Sequence, residues 1–180
     1  MSSPPDTAMD YRSHIREVPD FPKSGISFKD MTPLLSNAPV FAGALETMAS
    51  WFFEKDVAYV VGIEARGFIL GSPLAHLLHA GFIPVRKQGK LPSASRSAVY
   101  ELEYGSSAIE VHEDSIPQGA RVIIVDDLLA TGGTARATLE LMEQLHAHIV
   151  GCAFLMELTW LEGRKQLAPH PIHSLISFSA

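Results

Sequence analysis

Residues 122–134, VIIVDDLLATGGT, constrain the fold of this chain more than any other stretch. Val122, Ile123, Ile124 and Val125 form an unbroken β-branched apolar run, which suits a parallel strand covered on both faces. Asp126 and Asp127 follow at the point where such a strand leaves the carboxyl edge of its sheet, and ligands of open α/β sheets bind outside that edge. Thr131, Gly132, Gly133 and Thr134 then offer successive backbone N–H groups at the start of a helix-spaced segment. There the helix dipole and the unpaired donors favour an anion, and a phosphate fits. The two acids would repel a phosphate they touched, so they suit sugar hydroxyls or a metal ion, and the ligand inferred is a sugar phosphate. Taken singly, an acid pair is often a turn former or helix cap, and Gly-Gly a tight connection; together they favour a site. The stretch has neither the Gly-Lys-Ser/Thr ending of a triphosphate loop nor the GxGxxG of a dinucleotide fold.

VIIVDDLLATGGT resembles the signature of the type I phosphoribosyltransferases, which bind 5-phosphoribosyl-1-pyrophosphate, and its LLATGGT ending is similar to the adenine-specific branch. The resemblance implies an α/β, Rossmann-like central parallel sheet flanked by helices, with a small N-terminal hood and a flexible lid loop. It implies the reaction of adenine with phosphoribosyl pyrophosphate to give AMP and pyrophosphate. Magnesium would bridge pyrophosphate and ribose oxygens, held mainly through the substrate. Ala130, Thr131, Gly132, Gly133 and Thr134 would take the 5′-phosphate, and Asp126 and Asp127 the ribose. Leu129 would lie beside the base. Two alternatives stay open at this point: a phosphoribosyltransferase for guanine, xanthine or a pyrimidine, and a regulatory protein that senses phosphoribosyl pyrophosphate.

At 180 residues the chain is long enough for one domain with a sizeable core, and at 47% apolar it should bury one. Residues 1–9 read as a mobile tail, 10–35 as the hood, and 36–180 as a single core with a lid at about 86–105. Twenty acids against 14 Lys plus Arg give a net charge of −6, which disfavours non-specific binding to nucleic acid or an anionic membrane. Cys152 is the only cysteine, so no internal disulfide forms and a reducing compartment is expected. Nothing at the N-terminus has a signal pattern, and no stretch approaches the roughly 20 apolar residues of a membrane span, so the expectation is a soluble cytoplasmic protein.

Residues 11–18 read as a short helix ended by Pro19. Residues 20–35 carry prolines and Gly25, which argue against a regular helix, and Phe and Ile residues, which argue for a packed segment. Within it, FPKSGISFKD is similar to the FPxxGxxFxD hood segment of the adenine branch. The resemblance implies that Phe28 stacks on the purine, with the backbone of Ser27 and the side chain of Lys29 nearby; relatives more often carry an aliphatic residue and Arg at the last two positions. Residues 40–53 have apolar residues at helical spacing, and 57–63 read as a second buried strand. Glu64-Ala65-Arg66-Gly67 then repeats the strand-to-loop passage, and Arg66 suits an anion clamp. An Arg66–Glu64 ion pair is the plain alternative. The resemblance makes this the pyrophosphate loop, with a non-proline cis peptide between Glu64 and Ala65, and with Ala65 and Arg66 on the anion.

Residues 68–80 read as a helix closed by Gly81, with Pro73 in its first turn or kinking it. The pairs His76/His79, His146/His148 and His170/His173 lack carboxylate or cysteine companions and read as solvated or core-edge histidines. After a strand at 82–85 comes RKQGKLP, where Arg86, Lys87 and Lys90 gather positive charge around Gly89 in an acidic chain. That is the pattern of an electrostatic trap for a polyphosphate, against the alternative of a solvated loop. It is similar to the family's RKxGKLP, which implies that all three cations bind pyrophosphate and that Arg86 and Lys87 lie near the contact of a homodimer. SASRSA, residues 93–98, is small and polar and reads as a lid. VYELEY, residues 99–104, alternates like a strand, and spacing does not choose between Glu101 and Glu103 as a general acid. The family's LEYG pattern selects Glu103 as the group acting on the purine and Tyr104 as part of the lid, and with Arg66 these are the implied catalytic residues. Further elements are expected at 107–112 (strand), 134–146 (helix), 149–158 (strand), 160–167 (short helix) and 172–178 (strand). ELT and LAPHPIHSL extend the resemblance to about residue 177.

Overall fold

The computed structural model describes residues 9–101 and 106–179. Expectations that fall on residues 1–8 and 102–105, among them the mobile tail and the roles of Glu103 and Tyr104, lie outside the described residues. The chain forms two compact units, Met1–Leu45 and Glu46–Ala180.

In the first unit, residues 11–18 are not a helix. A 3-10 turn, Arg12–His14, leads into strand β1 (Arg16–Val18), which pairs antiparallel with β2 (Phe28–Asp30). The register sets Arg16 opposite Asp30 and Glu17 opposite Lys29. Ion pairs of 2.7 and 2.8 Å reinforce those two rungs. Helical spacing in 11–18 was a local signal, and the ladder partner that overrides it lies beyond Pro19 and Gly25. Residues 20–35, expected to be irregular, also contain the start of helix α1 (Thr32–Ser36). Pro33 sits in its first turn, where a missing N–H costs nothing. Helix α2 (Ala38–Ser50) follows, close to the 40–53 expected, with Val40, Ala44, Leu45, Met48 and Ala49 buried.

The second unit is built on seven strands: β3 (Tyr59–Ile63), β4 (Gly81–Lys87), β5 (Ser95–Glu101), β6 (Ser106–His112), β7 (Arg121–Leu129), β8 (His148–Leu158) and β9 (Ile172–Phe178). Their order is β5-β6-β4-β3-β7-β8-β9. The five strands from β4 to β9 run parallel, as expected for apolar runs such as YVVGI and VIIV. The other edge is antiparallel, because only four residues separate β5 from β6 and a parallel return needs a dozen or more. Residues 95–98, expected in a lid, therefore belong to a paired strand. Val60, Val61, Ile123, Ile124, Val125 and Cys152 through Met156 are fully buried. Burial pushes the Cys152 thiol up to about 12, which leaves it an inert core group.

Helix α3 spans Arg66–Leu77, beginning and ending earlier than the expected 68–80. Pro73 lies in its interior, and Gly81 opens β4 instead of capping the helix. His79 at φ +53° and the Ala80 N–H to Ala75 O bond of 2.9 Å make the stop. Helix α4 spans Gly133–Gln144. The helix expected at 160–167 is a 3-10 turn, Thr159–Leu161, then α5 (Arg164–Leu167), broken by Glu162 at φ +54°.

Candidate active site

Strand β7 carries the acid pair. Its ladder to β3 ends at Gly62↔Val125, while its ladder to β8 continues through Asp126↔Phe154 to Leu129↔Glu157. Asp126 and Asp127 thus lie on the strand, one step past its shorter neighbour, and not beyond its end as the sequence suggested. Asp127 is buried and Asp126 half-buried, and the Asp127 N–H donates to Asp126 Oδ1 at 2.9 Å. Burial and the adjacent Asp127 carboxylate push Asp126 well above the usual carboxylate range. Burial also raises Asp127, against the opposing pull of Arg66. Arg66 Nε lies 2.9 Å from Asp127 Oδ2. The contact is ionic without hydrogen-bond alignment, so that oxygen keeps its acceptor capacity.

The Glu64–Ala65 peptide is cis, and Ala65 immediately precedes α3. An ideal Cβ on Gly67 would lie 2.8 Å from Val125 O and 3.1 Å from Asp126 Oδ1, so glycine is what lets this helix start press onto the acid-bearing strand. Arg66 takes Asp127 as its ion-pair partner, and Glu64 is engaged by β4. Glu64 accepts from the Lys87 N–H at 3.0 Å and from Arg86 Nε at 3.2 Å. Burial alone would raise Glu64, but these two donors outweigh it and hold its carboxyl below the ordinary range.

Ala130 and Thr131 lead from β7 to Gly132, which sits at φ +87° immediately before α4. No side chain caps that helix, so its first-turn donors are left to an external acceptor. Gly133 and Thr134 form the start of the helix itself. Leu129, expected beside the base, has its side chain buried in the core.

Arg86 and Lys87 end β4, and Gly89 at φ +82° turns the chain back. The turn is held by a residue that sequence pattern did not single out. Glu110 on β6 is buried and accepts the Lys90 and Leu91 N–H groups at 3.0 and 3.1 Å. The available signal was an acid set between Ile109 and Val111, two strongly apolar neighbours.

Within the N-terminal unit, Phe28 is half-buried and meets Phe21 edge-on at 5.2 Å. Val18, Phe21, Phe28 and Asp30 line a cavity of about 380 Å³. Ser27 is exposed, whereas Lys29 is buried, its Nζ 2.8 Å from Glu17 Oε2 and donating to Ser27 Oγ at 3.2 Å.

Residues 34–173, which hold the acid pair on its parallel strand and the uncapped glycine helix start that follows, match the family described as the phosphoribosyl transferase domain. An adenine phosphoribosyltransferase of Symbiobacterium thermophilum is 55% identical over 170 residues, which cover 94% of this chain and 100% of the relative. The crystal structure of the adenine phosphoribosyltransferase from Thermoanaerobacter pseudethanolicus superposes with a TM-score of 0.90 at 49% identity, covering 93% of this chain and 98% of the other. That of Saccharomyces cerevisiae, complexed with an imino-altritol bisphosphate and adenine, has a TM-score of 0.87 at 42% identity and covers 92% and 96%. The chain belongs to the adenine phosphoribosyltransferase family.

Proposed function

We propose that this protein transfers the 5-phosphoribosyl group from 5-phosphoribosyl-1-pyrophosphate to N9 of adenine, giving AMP and pyrophosphate, the chemistry of purine salvage. The observation that carries the reading is the uncapped start of α4, six residues after the buried Asp127 and seven after the half-buried Asp126. Ala130 to Thr134 take the 5′-phosphate on backbone donors, and the acids accept from the ribose hydroxyls. The bond from C1′ to the pyrophosphate oxygen breaks, its electron pair leaves with pyrophosphate, and N9 bonds to C1′. Catalysis is chiefly alignment and neutralisation of the leaving group.

Ala65, Arg66, Arg86, Lys87 and Lys90 are the pyrophosphate group. Arg66 and Arg86 reach it by exchanging the Asp127 and Glu64 carboxylates for the ligand. That exchange releases Asp127 toward the ribose in the same step. Phe28 stacks on the purine, with Ser27 and Lys29 beside it, and the half-buried ring supports that role. Glu103 is assigned to N7: adenine reacts with its ring proton on N7, which leaves the N9 lone pair free, and the Glu103 carboxylate accepts that proton as N9 bonds to C1′. Tyr104 is assigned to the lid.

Among the described residues no three His, Cys, Asp or Glu side chains form a metal cage. Asp126 and Asp127 are two adjacent carboxylates, a donor set that fits a hard cation carried mainly by the substrate. Magnesium held there would supply neutralising charge to the pyrophosphate. The proposal extends to a homodimer and a cytoplasmic setting, and a single buried thiol with no disulfide partner supports a reducing compartment. No described helix is long and apolar enough to cross a membrane.

The test is AMP formation assayed against a panel of bases. Adenine should be turned over at least tenfold faster than guanine or xanthine, and a silent enzyme that still binds the donor would return the sensor reading. Asp126→Asn with Asp127→Asn should lower turnover at least 1,000-fold with the fold intact, a loss of about 4 kcal/mol in barrier stabilisation; normal turnover in that variant would refute the ribose role.

A further inference from the structure

Glu157 and Arg164 have no part in the chemistry above, yet they join a buried carboxylate to an exposed guanidinium at 2.7 Å. Glu157 is 3% exposed near the end of β8, directly opposite Leu129 in the ladder to β7. A carboxylate at that depth needs full pairing. Arg164 provides it with Nε and Nη2, each 2.7 Å from a separate Glu157 oxygen, in the two-pronged geometry only arginine offers. Its Nη1 donates to Ile172 O at 2.9 Å, and Nη2 also reaches Ser174 Oγ at 3.3 Å. One guanidinium thereby ties the start of α5 to β8 and β9.

The residue before Arg164 is Gly163, which is buried. A Cβ on Gly163 would lie 2.9 Å from Leu129 Cδ1, 3.1 Å from Gly132 N, and hard against Ala130 O. From the other side, a Cβ on Gly132 would lie 2.7 Å from Gly163 O. The two glycines meet backbone to backbone. Gly163 O is itself fixed by the Gln166 N–H at 3.1 Å. With no side-chain cap on α4, the direction of the loop amides depends on what their backbone leans against.

We propose that Gly163, anchored through Arg164 and Glu157, positions the loop of residues 130–134 for the 5′-phosphate without touching substrate. This rests on reading that loop as the phosphate cradle. A Cβ at residue 163 would displace the amides by a fraction of an ångström to an ångström, a shift to which anion grip is sensitive.

Gly163→Ala in the full chain should raise the KM for phosphoribosyl pyrophosphate at least tenfold, leave the KM for adenine within twofold and change kcat less than threefold. Arg164→Lys, which keeps the charge and loses the fork, should show the same split with a donor KM three- to tenfold higher, and it decides the matter if Gly163→Ala does not fold. Unchanged donor KM in a folded variant overturns the proposal, and so does an equal rise in both KM values. Amide NMR of the wild type with ribose 5-phosphate separates the two ideas. If the amides of residues 131–134 do not shift, the cradle reading falls and this proposal with it. If they shift but ribose 5-phosphate binds Gly163→Ala as tightly as wild type, the anchoring role alone falls.

Discussion

Single side chains in this protein pull in opposite directions on stability and on chemistry, and two aspartates make the contrast. Asp30 is bonded by the Thr32 hydroxyl and N–H and then by Arg16, which holds its carboxyl down at about 2 against an ordinary 3.8. A depressed folded value contributes stability that is complete above about pH 4 and fades as pH falls toward 2. Asp30→Asn should lower the melting midpoint at pH 7 by about 2–4 °C. The gap from wild type should narrow between pH 4 and 2, and a gap constant with pH would show the ionised form is not what stabilises. Asp126 has the reverse sign. Burial and Asp127 raise its folded value, so ionising it costs stability; the cost is absent below the ordinary 3.8 and grows as pH rises through the folded value. Asp126→Asn should therefore melt about 2–4 °C higher than wild type at pH 7 while losing turnover. A lower midpoint at pH 7 would mean that the acid pair is paired well enough to support the fold.

The next scale is the seam where helix α3 meets strand β7. Both elements were legible in the sequence, because VIIV is an unbroken apolar run and residues 68–80 read as a helix, although α3 itself spans Arg66–Leu77. The seam itself was not. Gly67 reads in sequence as a loop glycine, and only packing brings Val125 O and Asp126 Oδ1 to the place its side chain would fill. Gly67→Ala should cost about 1–3 kcal/mol of unfolding free energy by urea denaturation, as overpacking does. It should also lower turnover more than tenfold, since Asp126 cannot hold its place against the added methyl. Wild-type turnover in that variant would detach the acid from the seam. Partner choice was illegible for the same reason. Arg66 chose Asp127 over its near neighbour Glu64, Glu64 chose Arg86, and Glu110 holds a turn 20 residues away. Each choice depends on which strand ends share one sheet edge, and local periodicity carries no such information.

Across the whole chain, what sequence pattern revealed tracks how the stability is distributed. Apolar runs announce strands that are buried on both faces, so β3, β7, β8 and the acid-bearing edge were legible from residue order alone. The three-residue strands β1 and β2 have burial patterns of mostly exposed or half-buried residues and gave no such signal. A two-stranded ladder that short is marginal by itself, whereas an amide inside a seven-stranded sheet exchanges only when most of the unit opens. Native-state hydrogen exchange should therefore find the amides of Val60, Val61, Ile123, Ile124, Phe154 and Leu155, all fully buried, the slowest in the protein. The amides of Glu17, Val18 and Lys29 should exchange at least about 100-fold faster, a difference of about 2.7 kcal/mol in opening free energy. Protection in β1 and β2 equal to that in β3 would mean that the ion pairs of Arg16 and Lys29, each with one partner exposed, stabilise the small ladder far beyond what surface pairs ordinarily contribute.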